Sequence, residues 1–107
     1  MTTVEINPGI CGFVTEVTAV SEDEQEVTLK VVSGCEAVKS MMKELGSEFD
    51  AIEECLVRPG EGVFFEYAKT HFPVHAACPV IAGILKCMEV ECRLALPAPA
   101  SITFSGK

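Results

Sequence analysis

The clearest periodic pattern in the chain lies at Glu26–Ser33, where Val27, Leu29 and Val31 alternate with Thr28 and Lys30. Alternation of period two marks a half-buried strand. Thr2–Ile6 reads as a shorter strand with Val4 and Ile6 on one side, and the Val- and Thr-rich run Phe13–Val20 as another. Asn7-Pro8-Gly9 is a turn signal, and Ser21–Gln25 is a charged connection of hairpin length. The first half is therefore expected to be an antiparallel meander.

The period then changes. Glu36–Leu45 places Val38, Met41, Met42 and Leu45 at helical spacing, and Gly46 ends the run. Ser47 is placed to cap a following helix whose Phe49, Ile52 and Leu56 share a face. Arg58–Gly62 reads as a loop, and Val63–Lys69 fits a helical turn or a strand equally well. Pro73 makes His71–Ala77 irregular. Pro79–Arg93 is the longest helical pattern, with Ile81, Ile84, Leu85, Met88 and Cys92 on one stripe. Strands first and helices afterwards predict an α+β domain, a three-stranded antiparallel sheet with helices packed on one face. Residues 1–107 are expected to form a single domain, with a core over about 2–95 and an extended tail over 96–107.

Composition narrows the function classes. Hydrophobic residues make up 49% of the 107, enough for a core without covalent staples. A net charge of −8 supplies no basic stripe for phosphates, so neither nucleic acid nor an anionic membrane surface is an expected partner. The most apolar stretch, Pro79–Met88, is interrupted by Lys86 and is too short to span a bilayer. The opening residues carry no targeting pattern, and the expected location is cytoplasmic. In that setting six cysteines are thiols to be explained by packing, ligation or reactivity rather than by disulfides.

Three of them stand at the ends of elements. Cys11 lies between glycines in Pro8-Gly9-Ile10-Cys11-Gly12, a loop between two strands. Cys35 follows Gly34 where a strand gives way to a helix, and Cys78 precedes Pro79 at the start of the last helix. The positive end of a helix dipole favours the thiolate, the form that binds metal or attacks sulfur. His75, three residues before Cys78, adds a nitrogen donor and completes a Cys3His set suited to Zn2+ or an iron–sulfur cluster. The chain has no CxxC pair. Against this stands the ordinary reading of a lone cysteine as a small buried hydrophobe. That reading is preferred for Cys55, Cys87 and Cys92, which fall inside helical patterns. His71 is read as a surface loop residue, Met41-Met42 as core, and Glu22-Asp23-Glu24 as a solvated turn without the spaced acceptors of a calcium loop.

Cys11-Gly12-Phe13, Gly34-Cys35 and Pro73-Val74-His75-Ala76-Ala77-Cys78, with 24 residues from Cys11 to Cys35 and 43 from Cys35 to Cys78, resemble the U-type iron–sulfur cluster assembly scaffolds, the IscU/NifU N-terminal family. The likeness in layout runs from about Thr2 to Arg93, and Ala82 and Lys86 also fit the family's pattern. It implies a SufE/NifU-like fold in which Cys11, Cys35 and Cys78 meet at one end of the sheet and hold an iron–sulfur cluster or Zn2+. The implied partners are a sulfur donor or a cluster-acceptor protein, and a homodimer is compatible with it. Phe13 stands where the family has aspartate, and Ala77 where it has histidine, with His75 two residues earlier. The family's chaperone-recognition segment is only partly echoed by His71–His75.

Two further functions compete with a cluster or metal scaffold. One is a thiol-based sulfur carrier or redox protein working through Cys35 or Cys78. The other is a non-catalytic interaction domain whose cysteines only pack. An apolar shell from Ile10, Phe13 and Val80 is expected to shield a metal site. No Ser/His/Asp grouping, P-loop or dinucleotide fingerprint is present, which favours a role other than enzyme.

Overall fold

Alternation in the first half produces three strands, β1 (Thr2–Ile6), β2 (Thr15–Val20) and β3 (Glu26–Ser33), in the computed structural model, which describes residues 1–106. Val17, Ala19, Val27 and Leu29 are buried on one face, while Glu5, Glu16 and Lys30 stand in solvent on the other. Helices α1 (Glu36–Leu45) and α4 (Val80–Glu91) cover the apolar face, α1 over β3 and α4 over β1 and β2. Val38 and Met41 of α1 join Ile81, Ile84 and Met88 of α4 in one core cluster with the strands.

The sheet has four strands rather than the expected three, in the order β1-β2-β3-β4, each pair antiparallel. The fourth, β4 (Glu48–Asp50), takes residues that the helical period assigned to a helix. Edge pairing explains the difference. The Leu29 N–H donates to the Ser47 carbonyl at 2.7 Å, and the Ala51 N–H to the Gln25 carbonyl at 2.8 Å, so β4 and its two flanking residues satisfy backbone groups along β3 and just before it that an edge would leave open. Helix α2 (Ala51–Cys55) starts later than expected, capped by Asp50 and not by Ser47. Asp50 Oδ1 accepts from the N–H of Ile52 at 2.9 Å and of Glu53 at 3.0 Å. Ile52 and Leu56 are consequently exposed instead of sharing a buried face.

The ambiguous segment is helix α3 (Val63–His71). Its start is held by Glu54, a buried acid whose carboxylate accepts from the Val63 N–H at 2.9 Å. Negative charge is favourable at that end of the helix dipole. His71 is exposed, as expected, but it closes α3 instead of lying in a loop, with its ring stacked on Tyr67 at 4.1 Å.

Helix α4 runs antiparallel to β1. Gly83 packs on Ile6 at one end of that strand, and the Cys87 thiol donates to the Thr2 carbonyl at 3.3 Å at the other. One turn further on, Glu91 accepts from Thr2 Oγ1 at 2.7 Å and from the Ser21 N–H at 2.9 Å, and lies 3.3 Å from the Met1 ammonium. Its side chain is only 8% exposed. Burial alone pushes its pKa up, but these donors outweigh burial and hold it below the usual carboxylate value. A depressed folded pKa contributes stability above the unfolded value and loses it as pH falls through the folded one. Glu91→Gln is expected to cost about 1–2 kcal/mol at pH 7. The gap from wild type should close in urea titrations taken at progressively lower pH, below about pH 4. A gap that is constant with pH would show that the charge contributes nothing.

The expected extended tail covers residues 96–107. Leu96, Ile102 and Phe104 are exposed, and residues 95–106 form no helix or strand. The last residue of that expectation, Lys107, lies outside the described residues.

Candidate functional site

The register determines which loops are neighbours. Ile6 pairs with Thr15, and Thr15 with Ser33, so the loop after β1 and the exit from β3 leave the same end of the sheet. The first carries Cys11 and the second Gly34-Cys35. Gly83 of α4 sits on Ile6, so the start of α4, preceded by Cys78 and Pro79, points to that same end. Two antiparallel pairings and one helix direction thus bring three distant segments to one edge of the fold.

Each thiol there is held differently. Cys11 is exposed on a loop whose Gly9 and Gly12 have φ of 97° and 73°, a conformation that side chains disfavour. The turn is closed by the Gly12 N–H donating to the Gly9 carbonyl at 2.9 Å and the Gly9 N–H to Asn7 Oδ1 at 3.1 Å. Cys35 is the N-cap of α1, and its side chain makes no capping bond. Its N–H donates to Ser33 Oγ at 3.1 Å, and Ser33 Oγ also accepts from buried Thr15 Oγ1 at 2.8 Å. These two hydroxyls anchor the Cys35 backbone. They escaped the sequence reading because inward-facing Ser and Thr on a strand do not stand out without the register. Cys78 is half-buried, one residue before the Pro79 N-cap of α4. Its N–H donates to the carbonyl of His75 at 3.4 Å, in a turn that leaves His75 exposed.

Of the other three cysteines, Cys87 and Cys92 lie in the core and Cys55 is half-buried against it. The Cys55 thiol donates to the Leu85 carbonyl at 3.6 Å, and desolvation pushes its pKa up to about 12. Cys87 is fully buried, and desolvation pushes it up to about 11. Cys92 is buried as well, and its pKa is raised chiefly by desolvation. All three are protonated packing groups at neutral pH.

The donor types at the cysteine end fit Zn2+ or an iron–sulfur cluster, three sulfurs and an imidazole. They are not drawn together as ligands: among the described residues, no group of three or more His, Cys, Asp or Glu side chains is arranged to hold a metal ion. The expected apolar shell is not assembled either. Val80 belongs to the core and Ile10 stands in solvent, while the Phe13 ring lies against Gly34. Ile10, Phe13, Val14 and Val74 form an exposed apolar fringe on the loops around this end. No helix among the described residues is long and apolar enough to cross a membrane.

The fold is an α+β domain with a four-stranded antiparallel sheet and three thiols near one end. The chain belongs to DUF6951, a family of unknown function whose model matches residues 2–104. No curated protein and no solved structure matches it significantly.

Proposed function

We propose that this chain is a cytoplasmic scaffold or carrier that binds an iron–sulfur cluster or Zn2+ through Cys11, Cys35 and Cys78, with His75 as a further donor, on a SufE/NifU-like fold. The observation that carries the reading is the division of the six thiols. Three sit on element ends at one end of the sheet, and the other three have raised pKa values, Cys87 and Cys92 buried and Cys55 half-buried against the core. Cys35 and Cys78 stand at the starts of helices, where backbone N–H groups favour a bound thiolate. Cys11 sits on the glycine loop, and completing the ligand set requires the three thiols to come together. A cluster bound there supplies electron storage or transferable iron and sulfide. The partners of such a protein are a sulfur donor and a cluster acceptor.

A second reading is favoured by the lack of a gathered ligand set among the described residues. A single thiolate, Cys35 or Cys78, attacks the outer sulfur of a donor persulfide, forms a new S–S bond and releases the donor thiolate. A carrier of this kind needs one cysteine, whereas a cluster site needs three.

The test is anaerobic purification and reconstitution, with iron, zinc and acid-labile sulfide measured in wild type and in Cys11→Ala, Cys35→Ala, Cys78→Ala and Cys55→Ala. Each of the first three should lower bound metal by at least about tenfold, the loss that even outer-shell changes can bring. Cys55→Ala should leave it unchanged. A protein that binds no metal but forms a persulfide at one cysteine supports the carrier. A protein that does neither sinks both readings.

A further inference from the structure

The segment after α4 contains a strand pattern without a strand. Ile102 and Phe104 alternate with Ser101, Thr103 and Ser105, the period of a half-buried strand. Both apolar side chains lie in solvent, Ile102 87% and Phe104 95% exposed. The sheet in turn has an open edge. β1 is terminal in the strand order, and its outer side pairs with nothing among the described residues. Natural edges are protected by lysine, proline, bulges or extreme shortness. β4, at the other edge, is only three residues long, whereas β1 has five, with no lysine or proline among them. An unpaired edge and an unpaired strand pattern thus occur in one chain.

We propose that residues 100–105 add as a fifth strand to the β1 edge of a second copy of this chain, forming a reciprocal, strand-exchanged dimer. Three observations choose a second copy over the chain's own edge or a foreign partner. The spacer Leu96-Pro97-Ala98-Pro99-Ala100 contains two prolines, which fix φ at two of its five positions and restrict a fold back onto the same sheet beyond one tight turn at Pro97, where the Ala98 N–H donates to the Leu96 carbonyl at 2.8 Å. Donor and acceptor match in length and in pattern. Ile102 and Phe104 join Val4 and Ile6 on the helix-covered face, while Ser101, Thr103 and Ser105 join Thr3 and Glu5 on the solvated face. The chain carries a net charge of −8, yet residues 94–106 contain no charged side chain, so the exchanged segment brings no like charge to an acidic acceptor.

Two-fold symmetry lets each copy give one strand and receive one, which closes the assembly at two and removes both β1 edges. The spacer itself helps to form an open groove of about 400 Å³ at the end of α4, where Leu96 and Pro97 stand with Val90, Arg93, Leu94 and Ala95. That end of α4 lies near Thr2, at the opposite end of β1 from the cysteines, so exchange leaves both thiol ends open. The inference does not depend on what the thiols bind.

Sedimentation of the full chain at micromolar concentration, with hydrogen exchange of the β1 amides, tests it. Wild type should sediment as a dimer. The double variant Ile102→Asp with Phe104→Asp should be a monomer that still unfolds in one cooperative transition, and its β1 amides should exchange at least about tenfold faster, as expected of a strand edge returned to solvent. Val32→Asp, on the exposed sheet face, should remain a dimer. A wild-type monomer overturns the proposal whether or not β1 is protected, and protection in that monomer would mean pairing within one chain. A dimer that survives the double variant overturns it too, as does a dimer abolished by Val32→Asp.

Discussion

Phe64→Ala is expected to lower the free energy of unfolding by about 3–5 kcal/mol, the cost of emptying a large aromatic site in a core. Phe64 is 1% exposed and is the one fully buried residue of α3. Its ring meets that of Phe49 on β4 at 4.8 Å, so one side chain fastens both the ambiguous helix and the unexpected strand. Chemical denaturation followed by far-UV circular dichroism measures the loss. Phe65→Ala, at a half-buried neighbour, should cost clearly less. A loss below about 1 kcal/mol at Phe64, within the range of surface substitutions and small repacking, would mean that α3 is not anchored there. Hydrogen exchange in the variant should show α3 and β4 opening first, because few other buried groups hold them.

Gly83→Ala should destabilise as well, although helix propensity argues the other way. Alanine is better than glycine inside a helix by about 1 kcal/mol. A Cβ at position 83 would overlap Ile6 Cδ1 and lie 2.5 Å from Ile6 Cγ1. Relieving that overlap requires Ile6 to leave its packed position on β1 or α4 to lift off the sheet, and overpacking of this kind costs about 1–3 kcal/mol. The overlap is therefore expected to win, with a net loss of roughly 1–2 kcal/mol. The pair gives its own control. In an Ile6→Ala background the obstacle is gone, and Gly83→Ala should be neutral or stabilising. A double-mutant cycle with no coupling between the two sites would refute the close approach of α4 to β1. That approach also aims the start of α4, and with it Cys78, at the cysteine end.

Hydrophobic period was enough to find β1, β3, α1 and the long α4, because each of these buries one face and writes that burial locally. It was not enough at Phe49, where a helical spacing with Ile52 and Leu56 competed with three residues that complete the β3 edge. The edge prevailed because unpaired backbone groups there have no local substitute. Phe13 is a comparable case. Its β-forming neighbours suggested a strand, but Gly12 at positive φ delays β2 until Thr15 and leaves the ring against Gly34. Glu54 and Glu91 were invisible as buried acids, since their partners, the Val63 N–H, Thr2 and Ser21, are separated from them in the chain.

The same division runs through the thiols. By itself the sequence determined that Cys11, Cys35 and Cys78 stand at element ends and that Cys55, Cys87 and Cys92 fall within or beside helices. These are statements about local period, turn residues and proline. Only the tertiary structure decided that the first three share one end of the sheet. That outcome needs the Ile6–Thr15–Ser33 register and the direction of α4 on β1, which are set by pairing and packing across long stretches of chain. Only the tertiary structure, too, raised the pKa values of the other three, because desolvation is a property of what surrounds a thiol and not of its place in the sequence.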